Sequence, residues 1–398
     1  MNTNYLVIGN GIAGLSAIKE IKKNDTKGKI TMISKENYPT YYRIKLSHFI
    51  SRKFENNEIF IHDEKWYKEN DIDLFLDTEV IDIDFENKKV SLKDKTVLNF
   101  DKLILANGSS PFIPKVDGYD KKNIFSLRTL KDLLKIQNKL KESKSVVIIG
   151  GGVLGLEAAH EISKNENINV KVIEFFPYLL PRQLDIEMSK EFEKILKKSN
   201  LEFYLESKLK KINGEDKINS ITLEDGTTIK ADFLLFSTGV RANLNLFNNS
   251  TLEYDRGIKV DKYMKTNIKD VYACGDVIEF EGRMFGTWSE AQSQGKVAGK
   301  NASDDTTIYI PSPPQNILNV GVNSLFSAGN IEKFDDKIFY KDNEKIYKLY
   351  LTNKKITGAV VINDNSKMLK LKTAVQKNTN IEIFLDENKN LIDILSLI

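Results

Sequence analysis

Two copies of one local pattern constrain this chain more than any other feature of its sequence. Each copy is an apolar run, a glycine-rich turn and a stretch of helical periodicity, over residues 5–21 and 145–162. The glycines are Gly9, Gly11 and Gly14 in the first copy and Gly150, Gly152 and Gly155 in the second. In this spacing the first glycine makes a tight turn, the second admits a pyrophosphate close to the backbone, and the third lets the helix pack on the strand. The pattern predicts two strand–turn–helix units, each able to hold a dinucleotide at the N terminus of its helix.

The similarity between the two copies continues downstream. A second apolar run follows each helix, at 29–34 and 169–174. Each copy then has a polar hairpin and a strand that ends in glycine, within 74–108 and 203–239. This repetition predicts an α/β fold with two Rossmann-like dinucleotide-binding domains of the three-layer ββα type.

The C-terminal part of the chain has a different pattern, which begins after the proline-rich linker 311–314. Apolar or alternating runs predict strands at 316–322, 337–340, 346–351 and 356–362. A helical pattern follows them at 367–376. Before the linker, a strand is predicted at 271–277 and a helix at 289–301. We therefore expect three domains. The first dinucleotide-binding domain has two parts, 1–110 and 237–308, and the second comprises 111–236. A small C-terminal α+β domain comprises 309–398.

Composition excludes several classes of function. The chain has 59 basic and 56 acidic residues, a net charge of +3, which argues against a dedicated nucleic-acid-binding protein. Its single cysteine, Cys274, allows neither a disulfide within the chain nor a cysteine-rich metal site, and we expect no metal. There is no charged leader segment at the N terminus, and no apolar run approaches the roughly 20 residues of a membrane helix. We therefore expect a cytoplasmic protein without membrane or nucleic-acid partners.

An acidic side chain near the end of the second strand of such a unit binds ribose hydroxyls. Glu174 has this position in the second copy, 24 residues after Gly150 (174 − 150), and no basic residue follows it directly. This favours NADH over NADPH, although Arg182 lies a little further along. In the first copy Ser34 occupies the usual acidic place, so Glu36 is the candidate ligand of the adenosine ribose, with a solvated surface glutamate as the alternative.

Five segments in a fixed order resemble the two-dinucleotide flavoprotein reductases of the pyridine-nucleotide–disulfide oxidoreductase superfamily. They are Gly9–Gly14, Leu103–Gly108, Gly150–Glu157, Ser237–Arg241 and Val271–Val277. The resemblance extends over the whole chain and implies that the first copy holds FAD and the second the nicotinamide dinucleotide. One departure is Asn107, which stands where the family has threonine.

The resemblance also implies roles for individual residues. Asp276 matches the acidic residue that binds the ribityl and phosphate region of the flavin, and Trp288 is expected near the isoalloxazine ring, with a core aromatic as the alternative. Glu157 matches a carboxylate beside flavin N5 and the nicotinamide, and either Arg43 or Lys45 is its expected partner and a cofactor contact. Oxygenase-coupled relatives have a lysine after the Leu-Ser pair, where this chain has His48. Further cofactor contacts are expected at Val80, Ala106, Asn107, Gly108, Arg128, Val153, Leu154 and Gly239.

The segment that carries a redox cysteine in many members of the superfamily, Tyr38–Ser47, has none here. Cys274 lies inside the Asp276 motif and is expected only to pack. The chain therefore lacks the nucleophile for disulfide, coenzyme A disulfide or water-forming oxidase chemistry. The resemblance then implies that electrons leave the flavin for an outside carrier.

Within this cysteine-free branch, Tyr42-Arg43 and Tyr347–Asp364 are most similar to NADH:rubredoxin oxidoreductases and to the N-terminal part of nitrite reductase large subunits. The expected activity is hydride transfer from NADH to FAD, followed by single-electron transfer to rubredoxin or a similar small iron–sulfur carrier. Alternatives are transfer to ferredoxin or a nitrite-reductase partner, peroxide-forming oxidation, or a flavin-holding module that senses NADH. A monomer or homodimer is expected. The lysine-rich stretch Lys121–Lys144 is predicted to be helical. It is either a docking patch for an acidic carrier or only a solvated helix face.

Overall fold

The computed structural model describes residues 2–197, 201–386 and 391–397. The chain divides into two compact units, each assembled from segments that are distant in sequence. The first unit consists of Met1–Lys45, Phe54–Ser110 and Val240–Pro311, and the second of Leu46–Lys53, Pro111–Gly239 and Ser312–Ile398. The short segment Leu46–Lys53 thus packs with the second unit although both of its neighbours in sequence pack with the first.

The first unit is built on a parallel sheet of five strands. Their order across the sheet is Val271–Ala273, Lys102–Leu105, Asn4–Ile8, Lys29–Ile33 and Ile72–Phe75. The helices Ile12–Asn24 and Trp288–Ala302 lie so close together that a Cβ atom at Gly295 would come within 2.2 Å of the Ala13 carbonyl oxygen. Glycine at this position is therefore a requirement of helix packing, because any side chain would force the two helices apart.

Shorter elements complete the first unit. An antiparallel sheet contains the strands Val80–Asp84, Lys89–Leu92 and Val97–Asn99. The remaining strands are Val240–Ala242, Ile258–Lys259 and Ile278–Glu279, together with Ser109–Pro111, whose last residue is assigned to the second unit. The short helices are Arg43–Lys45, Asn56–Ile59, Glu64–Glu69 and Asn245–Phe247, and a further turn of helix in the second unit covers Ser47–Phe49. One continuous apolar core, which includes Val7, Ile18, Ile104 and Cys274, lies between the layers of the first unit.

The second unit repeats this plan. Its parallel sheet has the strand order Leu201–Tyr204, Asn169–Ile173, Ser145–Ile149, Phe233–Phe236 and Ile124–Ser126. The helices are Leu130–Leu140, Val153–Ser163 and Ile186–Leu196, and the antiparallel layer contains Leu209–Asn213, Ser220–Leu223 and Thr228–Lys230. The predicted fold class of two Rossmann-like three-layer domains is confirmed.

The lysine-rich stretch 121–144 is not one helix, so that prediction was wrong. Ile124–Ser126 forms an edge strand that pairs in parallel with the strand Phe233–Phe236. The helix begins only after Thr129, whose hydroxyl accepts a hydrogen bond from the backbone N–H of Asp132 while the Asp132 carboxylate accepts one from the N–H of Thr129. This reciprocal cap sets a helix start that lysine spacing does not reveal.

The C-terminal part of the second unit is a five-stranded antiparallel sheet with helices. The strand order is Gln315–Val320, Asn323–Gly329, Lys355–Ile362, Lys345–Thr352 and Asp336–Asp342, and the helical elements are Asn365–Lys367, Met368–Lys377, Glu382–Asp386 and Leu391–Leu397. The strand predicted at 316–322 ends at Val320, because Gly321 has a left-handed φ of +64° and turns the chain into an unpredicted strand. Within the described ranges, no helix is both long and apolar enough to cross a lipid bilayer.

Candidate active site

The first glycine turn joins the strand Asn4–Ile8 to the helix Ile12–Asn24. Gly9 has φ +116°, and a Cβ atom there would lie 2.0 Å from the carbonyl oxygen of Ala106. A Cβ atom at Gly14 would lie 2.1 Å from the Gly9 carbonyl oxygen, so this glycine allows the helix to pack on the turn. At Gly11, the N-cap of the helix, no atom from elsewhere in the described part of the chain lies within 4 Å of an added Cβ atom. The turn therefore presents an open backbone surface at a helix N terminus, where the helix field and the N–H groups favour a phosphate.

The second glycine turn has the same geometry in the second unit. Gly150 has φ +115°, and its added Cβ atom would lie 2.4 Å from the Ser237 carbonyl oxygen. A Cβ atom at Gly155 would lie 2.0 Å from the Gly150 carbonyl oxygen, whereas Gly152 faces open space at the N-cap of the helix Val153–Ser163. Each unit thus has its own anion cradle, built by the same three glycine functions.

Glu174 lies beside the second cradle. Its side chain is buried, and its carboxylate accepts hydrogen bonds from the backbone N–H of Gly151 at 2.6 Å and of Phe176 at 2.9 Å. These two bonds fix the carboxylate between the glycine turn and the end of its strand. The exposed rings of Phe175 and Phe176 follow, in an edge-to-face contact with centroids 5.4 Å apart.

Glu36 has a different environment in the first unit. Its carboxylate accepts hydrogen bonds from the Tyr41 hydroxyl and from Arg43 Nη2, both at 2.7 Å. The Ser34 hydroxyl donates to the Glu36 carbonyl oxygen at 2.9 Å. Lys45 donates to the backbone carbonyl of Glu58 at 2.9 Å. Arg43 therefore forms an ion pair with Glu36, and the pairing of Arg43 or Lys45 with Glu157 stays a prediction.

Glu157 lies on the helix Val153–Ser163 and is bound by a residue that the sequence did not single out. The Ser47 hydroxyl donates to Glu157 Oε2 at 2.7 Å, and both residues belong to the second unit. Burial raises the pKa of Glu157 from its ordinary value of 4.5 to about 7, the Ser47 hydrogen bond opposes this rise, and the negative charge of Glu161 adds to it. A carboxyl group with this pKa gains and loses a proton readily near neutral pH.

Asp276 follows the strand Val271–Ala273 of the first unit, at the same end of the parallel sheet as the first cradle, and Trp288 begins the helix Trp288–Ala302. The Ser109 hydroxyl donates to Asp276 Oδ2 at 2.9 Å. The neighbouring Gly275 has φ +82°, and its added Cβ atom would lie 2.9 Å from the Cβ of Ala13 in the cradle helix. Trp288 is only partly buried and stacks on Tyr42 with ring centroids 5.8 Å apart, so it is not a core aromatic.

Asn107 is tied to the chain by a reciprocal pair of bonds with Asn243. The Asn107 amide donates to the Asn243 carbonyl at 2.8 Å, and the Asn243 amide donates to the Asn107 carbonyl at 2.7 Å. The side-chain oxygen of Asn107 is buried and accepts no hydrogen bond from the residues that the structure describes. A buried acceptor of this kind is costly unless a donor reaches it, so the position is suited to a ligand that carries hydroxyl or N–H groups.

The remaining predicted contacts lie at or near the ends of helices and strands. Val80 begins the strand Val80–Asp84, and the Arg128 backbone N–H donates to the Asp132 carboxylate at 3.2 Å. Val153 and Leu154 open the cradle helix of the second unit, and Ala106 and Gly108 flank Asn107. Gly239 has φ +89° and faces open space. Within the described part of the chain, no cluster of three or more His, Cys, Asp or Glu side chains could hold a metal ion.

Two family profiles match the chain. The one described as "Pyridine nucleotide-disulphide oxidoreductase" matches residues 3–295. The one described as "Rubredoxin NAD+ reductase C-terminal domain" matches residues 314–379. Together they account for both dinucleotide-binding patterns and for the C-terminal sheet.

Individual relatives agree with these profiles. The chain is 35% identical over 382 residues to a nitrite reductase [NAD(P)H] of Bacillus subtilis, which covers 94% of this chain but only 47% of that protein. It is 35% identical over 385 residues to an NADH-rubredoxin oxidoreductase of Clostridium acetobutylicum, covering 96% of each. The crystal structure of NADH:rubredoxin oxidoreductase from Clostridium acetobutylicum superimposes with a TM-score of 0.82 at 33% identity and covers 100% of both chains. The chain thus spans about half the length of the nitrite reductase and nearly all of the rubredoxin enzyme.

Proposed function

The chain belongs to the pyridine nucleotide–disulphide oxidoreductase family, and from this premise we propose that it is an NADH-dependent flavoprotein that delivers electrons to rubredoxin or a similar small iron–sulfur carrier. The observation that carries the proposal is the pair of glycine cradles with equal geometry, one in each unit. One cradle alone would fit a simple nucleotide-binding protein. Two cradles fit a protein that holds two dinucleotides at once, and electron transfer between bound dinucleotides needs this.

The residues of the first unit fit FAD. The open backbone at Gly11 leaves room for a pyrophosphate, and Glu36, held by Arg43, would bind the adenosine ribose. Asp276 supplies a carboxylate and Asn107 an unused buried acceptor for the hydroxyl-rich part of the molecule. When bound, FAD would supply the ability to accept a hydride and to release electrons one at a time.

The residues of the second unit fit NADH. Its pyrophosphate would lie on the cradle that ends at Gly155, with the ribose hydroxyls at Glu174. The Glu174 carboxylate would repel the 2′-phosphate of NADPH. The side chain is buried, and its two hydrogen bonds from backbone N–H groups hold the carboxylate in place. NADH is therefore the proposed donor.

Protein side chains would position the reactants and handle protons, since hydride transfer itself needs no protein nucleophile. Glu157 would hold a proton near neutral pH, and Arg43 and Lys45 would order the segment that flanks the flavin. Cys274 does not take part, because it is fully buried and burial raises the pKa of its thiol to about 12. Electrons would therefore leave by an outside carrier. The cytoplasmic location, the oligomeric state and the domain boundaries stay predictions.

An anaerobic titration tests the proposal. The FAD-loaded protein is reduced with NADH, and separately with NADPH, and is then mixed with rubredoxin, ferredoxin or oxygen while the flavin absorbance is followed. We expect rapid reduction by NADH, slow reduction by NADPH, and reoxidation by rubredoxin at many turnovers per second. Faster reoxidation by ferredoxin would identify ferredoxin, and not rubredoxin, as the electron acceptor. The similarity to the nitrite reductase makes a nitrite-reductase partner the next acceptor to test. Rapid reduction with negligible reoxidation by any acceptor would overturn the enzyme proposal in favour of an NADH-sensing module.

A further inference from the structure

Three polar side chains of the first unit, those of Asn10, Thr40 and Tyr67, form a hydrogen-bonded cluster at the first glycine cradle. Asn10 stands between Gly9 and Gly11, so its backbone is part of the glycine turn itself. The Thr40 hydroxyl donates to Asn10 Oδ1, and the hydroxyl oxygens of Thr40 and Tyr67 are 2.7 Å apart. The Tyr67 hydroxyl also lies 3.3 Å from Asn10 Oδ1, which closes the cluster.

The geometry fixes the direction of these bonds. A threonine hydroxyl has one proton, and Thr40 donates it to Asn10, so Tyr67 is the donor to Thr40. The Tyr67 oxygen in turn accepts a hydrogen bond from the backbone N–H of Thr40 at 3.3 Å. Burial raises the pKa of the Tyr67 hydroxyl, which therefore keeps its proton at neutral pH. The Asn10 amide nitrogen donates to the Tyr38 carbonyl oxygen at 3.0 Å, so the amide cannot turn over without losing bonds at both of its ends.

The cluster joins the cradle to the segment that holds Glu36. Thr40 is completely buried, and Tyr41 follows it directly. The Tyr41 hydroxyl and Arg43 Nη2 each donate to the Glu36 carboxylate at 2.7 Å. Because each carboxylate oxygen can accept more than one hydrogen bond, Glu36 can still accept bonds from ribose hydroxyls.

Glu36 and the cradle also follow two neighbouring strands. The strand Asn4–Ile8 pairs in parallel with the strand Lys29–Ile33, and the N–H of Gly9 donates to the Ile33 carbonyl oxygen at 2.9 Å. A dinucleotide in such a unit reaches from its pyrophosphate at the glycine turn to its ribose at the end of the second strand. Covalent bonds fix the separation of these two groups in the ligand. The protein therefore has to hold its two anchors, the cradle and the Glu36 carboxylate, at a matching separation.

We propose that Thr40 and Tyr67 are positioning residues that hold the first cradle and Glu36 at the separation required by the ADP half of FAD. The inference rests on the proposed function, which assigns FAD to the first unit. Two anchors that are already ordered lose less conformational freedom when the ligand binds, and this gain in affinity exists only for a ligand that reaches both anchors. Without the Thr40 hydroxyl, Asn10 loses its donor, and the glycine turn can move independently of the segment that holds Glu36.

The test compares ligands that reach both anchors with ligands that reach only one. FAD release from the FAD-loaded, full-length protein is followed on dilution by the rise in FAD fluorescence, and ADP, 2′,3′-dideoxy-ADP and inorganic pyrophosphate are titrated as competitors. Thr40→Val keeps the shape of the side chain without its hydroxyl, and the dissociation constants of FAD and ADP should rise about tenfold. Those of dideoxy-ADP, which has no ribose hydroxyls for Glu36, and of pyrophosphate should rise by less than about twofold. Thr40→Ser keeps the hydroxyl and should restore ADP binding to within about twofold of the native value.

A matched tyrosine variant separates positioning from stability. Tyr67→Phe should raise the dissociation constant of ADP about as much as Thr40→Val, because it removes the donor to Thr40. The buried Tyr5 donates from its hydroxyl to Asp25 at 3.0 Å, at the opposite end of the cradle strand. Tyr5→Phe therefore removes a comparable hydrogen bond from the same unit, and it should lower the melting temperature while ADP binding stays within about twofold of the native value.

Two results would overturn the positioning role. Equal weakening of ADP and dideoxy-ADP in Thr40→Val would show that the hydroxyl acts without Glu36. Unchanged ADP binding in both Thr40→Val and Tyr67→Phe would show that the cluster serves only the stability of the fold. Failure of ADP to displace FAD from the native protein would instead overturn the proposed FAD site, and this result appears before any variant is made.

Discussion

Replacing Glu157 by glutamine should make the protein more stable, and more so as the pH rises. Burial raises the pKa of this carboxyl group from 4.5 to about 7 in the folded chain. A folded state that holds its proton more tightly than the unfolded state loses stability as the pH rises between these two values. Glutamine has the same shape, carries no proton to lose, and still accepts the Ser47 hydrogen bond. The substitution therefore removes a cost that the native side chain imposes above pH 4.5.

The size of the effect follows from the two pKa values. At about 1.4 kcal/mol per pKa unit, ionising Glu157 costs the folded state about 3 kcal/mol once the pH exceeds both values. Near pH 5 most of that cost is absent, and the same linkage leaves about 1 kcal/mol. The expected gain in the free energy of unfolding of Glu157→Gln is thus about 1 kcal/mol at pH 5 and about 3 kcal/mol at pH 8.

Urea denaturation followed by circular dichroism at the two pH values measures this gain. Glu166→Gln is the matched control, since Glu166 is an exposed glutamate just after the same helix and should change stability by less than about 0.5 kcal/mol at either pH. The reasoning is refuted if the gain in Glu157→Gln is the same at both pH values, or if the variant is less stable than the native protein at pH 8.

Three further outcomes follow from the packing. Gly9→Ala should lose both stability and bound FAD, because its Cβ atom would meet a backbone carbonyl oxygen at 2.0 Å. Gly11→Ala should keep its melting temperature and lose only FAD affinity, because its Cβ atom meets open space. Flavin absorbance per chain measures the bound FAD, and thermal melting measures the stability. Lys348→Met should destabilise the protein by about 3–5 kcal/mol in urea, because it leaves Asp185 partly buried without its cation, and adding Asp185→Asn should restore more than half of the loss. Cys274 should resist iodoacetamide at pH 8 in the native protein and react once urea exposes it, as mass spectrometry would show, since its thiol is buried with a pKa raised to about 12.

Much of the fold could be predicted because it is encoded locally. The strand Ser145–Ile149 coincides with its apolar run, and the glycine that follows ends it. The strand Asn323–Gly329 was missed because it is buried along both faces and its serines break the apolar pattern. Its neighbours in the sheet, 315–320 and 355–362, supply the hydrogen bonds that define it, and such partners are invisible in a local window.

The candidate site likewise combines positions that the sequence predicts with contacts that it does not. The glycine motifs identified the backbone positions of both cradles, because a left-handed φ or a close approach leaves glycine as the suitable residue. Contacts between distant residues could not be predicted. Ser47 and Glu157 are 110 residues apart, and Asn107 and Asn243 are 136 apart. The only available signal was adjacency, since Ser47 ends the segment that carries a redox cysteine in many members of the superfamily and Asn243 follows the motif Ser237–Arg241.

The partner of Glu157 connects the missing cysteine with the proposed carrier. A lysine or arginine beside a carboxylate lowers its pKa and keeps it ionised, so it cannot carry a proton at neutral pH. A serine hydroxyl stabilises the carboxylate much less, and here burial prevails and leaves the pKa of Glu157 near 7. Disulfide chemistry would consume protons together with electrons, whereas a one-electron carrier leaves one proton behind for every NADH. A chain without a redox cysteine therefore leaves one proton per turnover to be released, and the charge of the partner decides whether Glu157 can take up a proton near neutral pH: the Ser47 hydrogen bond permits it, whereas an ion pair with Arg43 or Lys45 would prevent it.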